Sequence, residues 1–391
     1  MTTLVDTNLL AALQEYGAAD VSACFSCGNC TAICPLADND ATFPRRIIRY
    51  AQVGMTEELL SSKELWTCYH CGMCSDSCPT EADPGEFMAA ARRYVTASYD
   101  KTRIAKVLYT MPILGTVVSL VAFFLLAGFL YTSSDIMPTK SLELFTFVPY
   151  HVVHWLGIGI MAVVVLTGLA GMASMARGMA KKEGVTWKSL VENGEARKRT
   201  VKALWFSIGI ESIGQRRYRE DCLDDRPVEP WYRRRWFIHA MTIWGFIGLL
   251  IATSLDYGLD VIGVKETGTA IPIWYPSRAI GTIGGLMLMY GVTFFMVNRM
   301  QKYNRAATVS KPSDWMFLIL LWVTGFTGFL IEVALYVPPT PAWGYWVFLV
   351  HVAIAMELLL FVPFTKFAHV IYRPVALFFY SLSEQKTLAS A

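Results

Sequence analysis

Hydrophobic positions divide this chain into two parts. Up to about residue 100 they occur in short stripes between polar residues, and beyond it they gather into long runs joined by charged connections. Six runs, about 107–131, 147–173, 236–258, 279–298, 315–337 and 343–368, are long enough to cross a hydrocarbon core of about 30 Å as helices. In the polar part, Pro44 suits a helical first turn, Ile47, Ile48 and Ala51 form an apolar stripe, and Gly54 supplies a stop. A second helix is predicted from Thr56 to about Trp66. No stretch carries a strand signal, so the pattern predicts an all-α chain of four segments. These are a helical domain at 1–100, spans one and two at 107–175, a basic loop at 176–235, and spans three to six at 236–391.

Composition agrees with a membrane protein: 54% of the 391 residues are hydrophobic and 17% are charged. A net charge of +3 is too mild to indicate a nucleic-acid partner. Its distribution is more informative. Segment 177–235 carries Arg177, Lys181, Lys182, Arg197, Lys198, Arg199 and the Arg233–Arg235 triplet, and the loop after span four adds Arg299, Lys302, Arg305 and Lys311. The opposite loops hold Lys140, Lys265 and Arg278. The positive-inside rule then puts the basic loops and both termini on the cytoplasmic side of the inner membrane. Met1 to Tyr16 contains no secretory signal, which predicts the same side for the first domain.

Eight of the nine cysteines lie between Cys24 and Cys78. Cys24, Cys27, Cys30 and Cys34 precede Pro35, and Cys68, Cys71, Cys74 and Cys78 precede Pro79, each run reading CxxCxxCxxxCP. This doubled run is the signature of a two-cluster ferredoxin, in which the fourth cysteine of each run ligates the other cluster. The spacing predicts one [4Fe-4S] cluster on Cys24, Cys27, Cys30 and Cys78, and a second on Cys68, Cys71, Cys74 and Cys34. Structural zinc takes paired CxxC motifs instead. His70, inside the second run, reads as a surface histidine, with tuning of a cluster as the alternative. Cys222 stands alone and is assigned no role.

Five of the six histidines, His151, His154, His239, His351 and His369, sit in or beside the apolar runs, where ionisable groups are costly. His351 and His369 are 18 residues apart, five helical turns, which predicts one face of span six and a separation of about 27 Å. His239 enters at the level of His369, and His151 and His154 at the level of His351. Two stacked b haems follow: an inner one on His239 and His369, and an outer one on His351 with His154 or His151, of which His154 lies a turn deeper. The absence of CxxCH excludes covalent haem. His151, Asp256 and Glu332 are candidates for a quinone site near the outer ends of the spans, and Glu357 for a proton path.

SACFSCGNCTAICP and LWTCYHCGMCSDSCP resemble the C subunit of heterodisulfide reductases. The segment VHVAIAMELLLFVPFTKFAHVIYRPV resembles the last haem-bearing helix of the nitrate reductase gamma subunit and of the cytochrome b subunit of membrane heterodisulfide reductase. Leu249 departs from that pattern, which has a second histidine there. The fusion resembles the membrane-embedded C subunit of quinone-interacting membrane-bound oxidoreductase (Qmo) complexes of sulfate-reducing bacteria. That resemblance implies menaquinone as membrane substrate and two heterodisulfide-reductase-A-like partners carrying flavin and iron-sulfur centres. It also implies adenylylsulfate reductase as acceptor. No Gly-rich dinucleotide fingerprint follows a strand, so flavin belongs to partners. The rivals are the same cofactor chain reducing quinone from a heterodisulfide-reductase-like donor, and a haem-free anchor for a soluble iron-sulfur enzyme.

Overall fold

A computed structural model describes residues 4–37, 42–138, 142–221, 229–264, 272–336 and 342–390. Cys222, Lys140 and Lys265 lie outside them. Among the described residues the chain is helical, with no strands. The N-terminal part contains α1 (Leu9–Glu15), α2 (Asn29–Ala32), α3 (Arg45–Gln52), α4 (Thr56–Leu60), α5 (Glu64–Thr67), α6 (Met73–Asp76) and α7 (Pro84–Tyr99). The helix expected from Thr56 to Trp66 is two, because the chain turns at Ser61 to Lys63 and the Ser62 hydroxyl donates to Glu64 Oε2 at 2.7 Å. Gly54 takes the left-handed conformation that ends α3, where a Cβ would fall 2.3 to 2.9 Å from the Asp6 backbone.

The remainder comprises α8 (Ile104–Thr110), α9 (Pro112–Thr132), α10 (Leu144–Phe147), α11 (Tyr150–Glu183), α12 (Trp187–Val191), α13 (Gly194–Leu204), α14 (Arg216–Asp221), α15 (Arg235–Val261), α16 (Pro276–Met300), α17 (Arg305–Thr308), α18 (Pro312–Tyr336), α19 (Trp343–Leu360) and α20 (His369–Ser390). A π-helical stretch, Trp205–Ile213, prolongs α13. Six helices, α9, α11, α15, α16, α18 and α19, are long and apolar enough to span a membrane. Span six ends earlier than its hydropathy predicts. Two 3-10 turns, Val362–Phe364 and Lys366–Ala368, follow α19, because Pro363 lacks an amide donor and Thr365 is extended. His351 and His369 therefore sit on different helices, and the five-turn argument does not hold.

α15 and α16 pack at glycine. A Cβ on Gly245 would fall 2.5 Å from Leu288 N and 2.6 Å from Gly284 O, so nothing larger fits without separating the backbones. The cysteine-bearing part and the membrane helices share one core. Trp66, Phe87, Val95 and Tyr99 are buried together with Met175 and Met179 of α11 and Tyr372, Ala376 and Phe379 of α20. Trp66 and Tyr99 both pack on Tyr372, with ring centres 5.4 and 5.2 Å away. α11 is 34 residues long, about 51 Å at 1.5 Å per residue. Its end bonds the N-terminal part through Lys182–Glu58 at 2.8 Å and Lys63–Glu183 at 2.5 Å.

Candidate functional site

The two cysteine runs adopt the same backbone. Ser26 and Gly28 in the first, and His70 and Gly72 in the second, all have positive φ, after which α2 and α6 begin. Successive left-handed residues turn amides and thiols toward a common concavity. Two such cavities exist. One is lined by Cys68, Cys71, Cys74 and Cys34, and the other by Cys24, Cys27, Cys30 and Cys78. The fourth cysteine of each run thus lies with the other run, brought there by α3 to α5. Asn29 Nδ2 donates to Ser77 O at 2.5 Å, holding the runs side by side.

Four thiols around each hollow are the donor set of an iron-sulfur cube. Burial pushes the Cys34 thiol up to about 12 and raises Cys30, Cys71 and Cys74, with neighbouring thiols adding to it. These sulfurs need a cationic centre to ionise. The cavities differ in setting: Phe43 and Met88 line that of Cys68, whereas Cys27 and Phe25 of the other are exposed.

The buried cavity adjoins the membrane helices. Arg235, first residue of α15, donates from Nη1 to His70 O at 3.0 Å and from Nη2 to Tyr69 O at 3.1 Å. Arg92 Nη1 donates to Cys68 O at 3.2 Å, and Arg373 lies over the Tyr69 ring at 4.5 Å. His70 is not the surface residue the sequence favours. Its ring lies 3.9 Å from Glu86, and burial, with Arg92 and Arg235, holds the imidazole well below its ordinary range.

His239 and His369 face each other one helix turn further into the bundle, with ring centres 6.2 Å apart. Two metal–nitrogen bonds of about 2.0–2.1 Å, plus roughly 1.1 Å from each nitrogen to its ring centre, give about the same separation. Both Nδ1 atoms are occupied, His239 by Gln215 Oε1 at 2.8 Å and His369 by Lys366 O at 2.7 Å. That leaves both Nε2 atoms for an iron, the orientation that outer-shell partners impose on metal-ligating histidines. These two residues are suited to hold a haem iron, were one bound. Gln215 and Arg92 carry no motif and give no signal in the sequence, and Arg235 shows there only as part of a basic triplet.

The other histidines are arranged differently. His351 Nδ1 is 2.9 Å from Thr327 Oγ1, and its ring faces Gly328. The His154 ring stacks between Tyr150 and Tyr257, each 5.6 Å away, and makes no ring contact with His351. His151 is exposed. The start of α16 gathers the remaining candidates: Ser277 Oγ donates to Asp256 at 3.2 Å, Thr282 Oγ1 donates to Glu332 at 3.0 Å, and Arg278 Nε lies 3.5 Å from Glu332. Glu357 is buried, accepting from the Ser119 hydroxyl at 2.5 Å.

Residues 20–82 match the 4Fe-4S dicluster domain family, and residues 103–390 match the family described as Citrate utilization protein B. Citrate utilization protein B of Escherichia coli is 27% identical over 155 residues, 39% of this chain and 39% of that protein. The iron-sulfur C subunit of the CoB–CoM heterodisulfide reductase of Methanopyrus kandleri is 38% identical over 53 residues, 14% of this chain and 28% of that one. A protein of Archaeoglobus profundus, similar by its description to the heterodisulfide reductase C subunit, is 32% identical over 98 residues, 25% of this chain and 52% of its own length. The matched stretches thus cover from about a quarter to about half of these relatives. No solved structure gives a significant match. The N-terminal part is an iron-sulfur electron-transfer module similar to the heterodisulfide reductase C subunit.

Proposed function

This chain belongs to the citrate utilization protein B family, and on that footing we propose that it is the membrane electron-transfer subunit of a quinone-linked oxidoreductase complex. Its clusters are held in crossed fashion, by Cys24, Cys27, Cys30 and Cys78 and by Cys68, Cys71, Cys74 and Cys34. His239 and His369 hold the inner b haem, and His351 with His154 the outer one. Bound there, haems and clusters supply one-electron relays between menaquinol and cytoplasmic flavoprotein partners of the heterodisulfide-reductase-A type. The chain lies in the inner membrane with both termini cytoplasmic, and its fusion resembles the C subunit of the Qmo complex, which points to adenylylsulfate reductase as acceptor.

The observation that carries this reading is the His239–His369 pair beside the Cys68 cavity. The rings stand 6.2 Å apart with both Nδ1 atoms occupied. Arg235 ties this level to the cavity by bonding the carbonyls of residues 69 and 70 four residues before His239. Exposed Phe25 and Cys27 make the other cluster the exit to a partner. At the opposite end we assign quinol binding and proton release to His151, Asp256 and Glu332, the latter two bonded to Ser277 and Thr282 at the start of α16.

The second reading runs the same cofactor chain in reverse, reducing quinone from a cytosolic heterodisulfide-reductase-like donor, and the likeness of the N-terminal part to heterodisulfide reductase C subunits favours it. The first test is the visible spectrum of the reduced, purified chain. A b-type α-band resolving into two components on redox titration is expected, with one component lost in His369→Ala or His239→Ala. Cluster signals with no α-band would make the chain a haem-free anchor. Rapid mixing with menaquinol then decides direction, since haem reduction followed by cluster reduction is required for the inward route.

A further inference from the structure

Segment 187–213 belongs to none of the six membrane-length helices, yet it exposes large apolar side chains. α13 and its π-helical extension form one rod with two faces. Ala196, Ala203, Ser207 and Glu211 are buried along one side. There the Ser207 hydroxyl donates to Pro374 O of α20 at 2.5 Å, and Tyr69 OH donates to Glu211 at 3.0 Å. On the opposite side Val201, Leu204, Trp205 and Ile208 recur at the spacing of one helical stripe, 64%, 45%, 67% and 50% exposed. Small and polar residues thus face the protein, and the bulky apolar ones face away from it.

The height of the rod identifies what covers that stripe. Two residues beyond its end, Gln215 bonds His239, the fifth residue of a membrane-length helix. Ser207 meets α20 five residues after His369. The stripe therefore lies level with the first turns of the bundle, where exposed Trp231 and Tyr232 also sit just ahead of α15. Exposed Lys188, Arg197, Lys198 and Lys202 accompany it, and Trp187 is 78% exposed. Aromatic and aliphatic residues flanked by cations at the boundary of a bilayer are the features of an interfacial helix on anionic lipid.

We propose that residues 187–208 form a strap embedded in one leaflet, with Val201, Leu204, Trp205 and Ile208 among the upper acyl chains and the cations on lipid phosphates. The strap clamps α20, and with it His369, against the bilayer surface, and its extension holds Tyr69 through Glu211. This rests on the six helices crossing a membrane and not on any haem.

The full chain, in a Cys222→Ser background with clusters loaded, is reconstituted in nanodiscs of phosphatidylglycerol and phosphatidylcholine. A nitroxide is attached at Val201→Cys, at Ile208→Cys as the second apolar position, or at Lys202→Cys. The labels at 201 and 208 should collide with oxygen several-fold more than with a water-soluble nickel chelate, and the label at 202 should show the reverse. Removing phosphatidylglycerol should raise nickel access at 201. Equal nickel access at 201, 208 and 202, or protection of 201 and 208 from both reagents as in a protein interface, would overturn the proposal. Retained cluster absorbance certifies each variant as folded, and either apolar position alone suffices for the comparison.

Discussion

Replacing Gln215 by leucine isolates the least conspicuous part of the haem reading. The Gln215 carboxamide is buried at 5% exposure and its oxygen lies 2.8 Å from His239 Nδ1. A ring N–H that donates there makes the imidazole a stronger donor, which favours ferric over ferrous iron. A net hydrogen bond is worth about 0.5–1.5 kcal/mol. With about 1.36 kcal/mol per decade and about 59 mV per decade for one electron, losing it should raise the inner midpoint potential by at most roughly 20–65 mV, the limit in which the whole bond is made only to the ferric state. Leucine keeps most of the volume, so the pocket need not collapse, and Gln215→Glu should move the potential downward instead. Spectroelectrochemical titration of the α-band on purified protein reads both components together. The reasoning is refuted if both components keep their wild-type potentials in Gln215→Leu, or if both move equally.

Cys78→Ala should perturb the cluster of Cys24, Cys27 and Cys30 and spare that of Cys68, Cys71 and Cys74, read by paramagnetic resonance after full reduction; a defect confined to the second cluster would exclude crossed ligation. His154→Ala should remove the outer haem, whereas His151→Ala should keep both haems and slow quinol oxidation, and the reverse pattern would exchange their roles. If both variants keep two haems, the outer ligand lies elsewhere. Gly245→Ala should lower stability in detergent by up to about 2 kcal/mol, because overpacking at roughly 1–3 kcal/mol is set against a helix-propensity gain of about 1 kcal/mol and the Cβ would meet backbone 2.5 Å away. A raised unfolding midpoint would show that α15 and α16 are free to separate.

Much of this was legible because the signals were local. Cysteine spacing needs no tertiary context, and the structure gathers Cys34 with Cys68 and Cys78 with Cys24 as that spacing requires. Apolar runs likewise report where chain can lie in hydrocarbon, and the six membrane-length helices coincide with them to within a few residues at most ends. Hydropathy does not report whether such a run is one helix. Pro363 and extended Thr365 break the last one, a proline signal that composition obscured. The Gln215–His239 contact was beyond reach, since it joins residues 24 apart across a left-handed glutamine at φ 51° that no periodicity encodes. His70 was misjudged because a polar residue in a loop gives no sign of the α7 and α15 side chains that cover it.

The surplus length of α11 governs how this chain can trade electrons. About 20 Å of it stands beyond a 30 Å hydrocarbon layer, pinned by Lys182–Glu58 and Lys63–Glu183 and buried at Met175 and Met179. The connection from α7 to α8 is equally short of slack, because Asp100 accepts from Thr102 N at 2.8 Å and Ala105 N at 2.9 Å. A head mounted in this way cannot swing out on a tether to meet a distant acceptor. The outward-facing sulfurs stay at constant height above the lipid, like a fixed socket. On the proposed function, turnover is then timed by partners arriving, seating and leaving, and a soluble protein that cannot approach that plane exchanges no electrons.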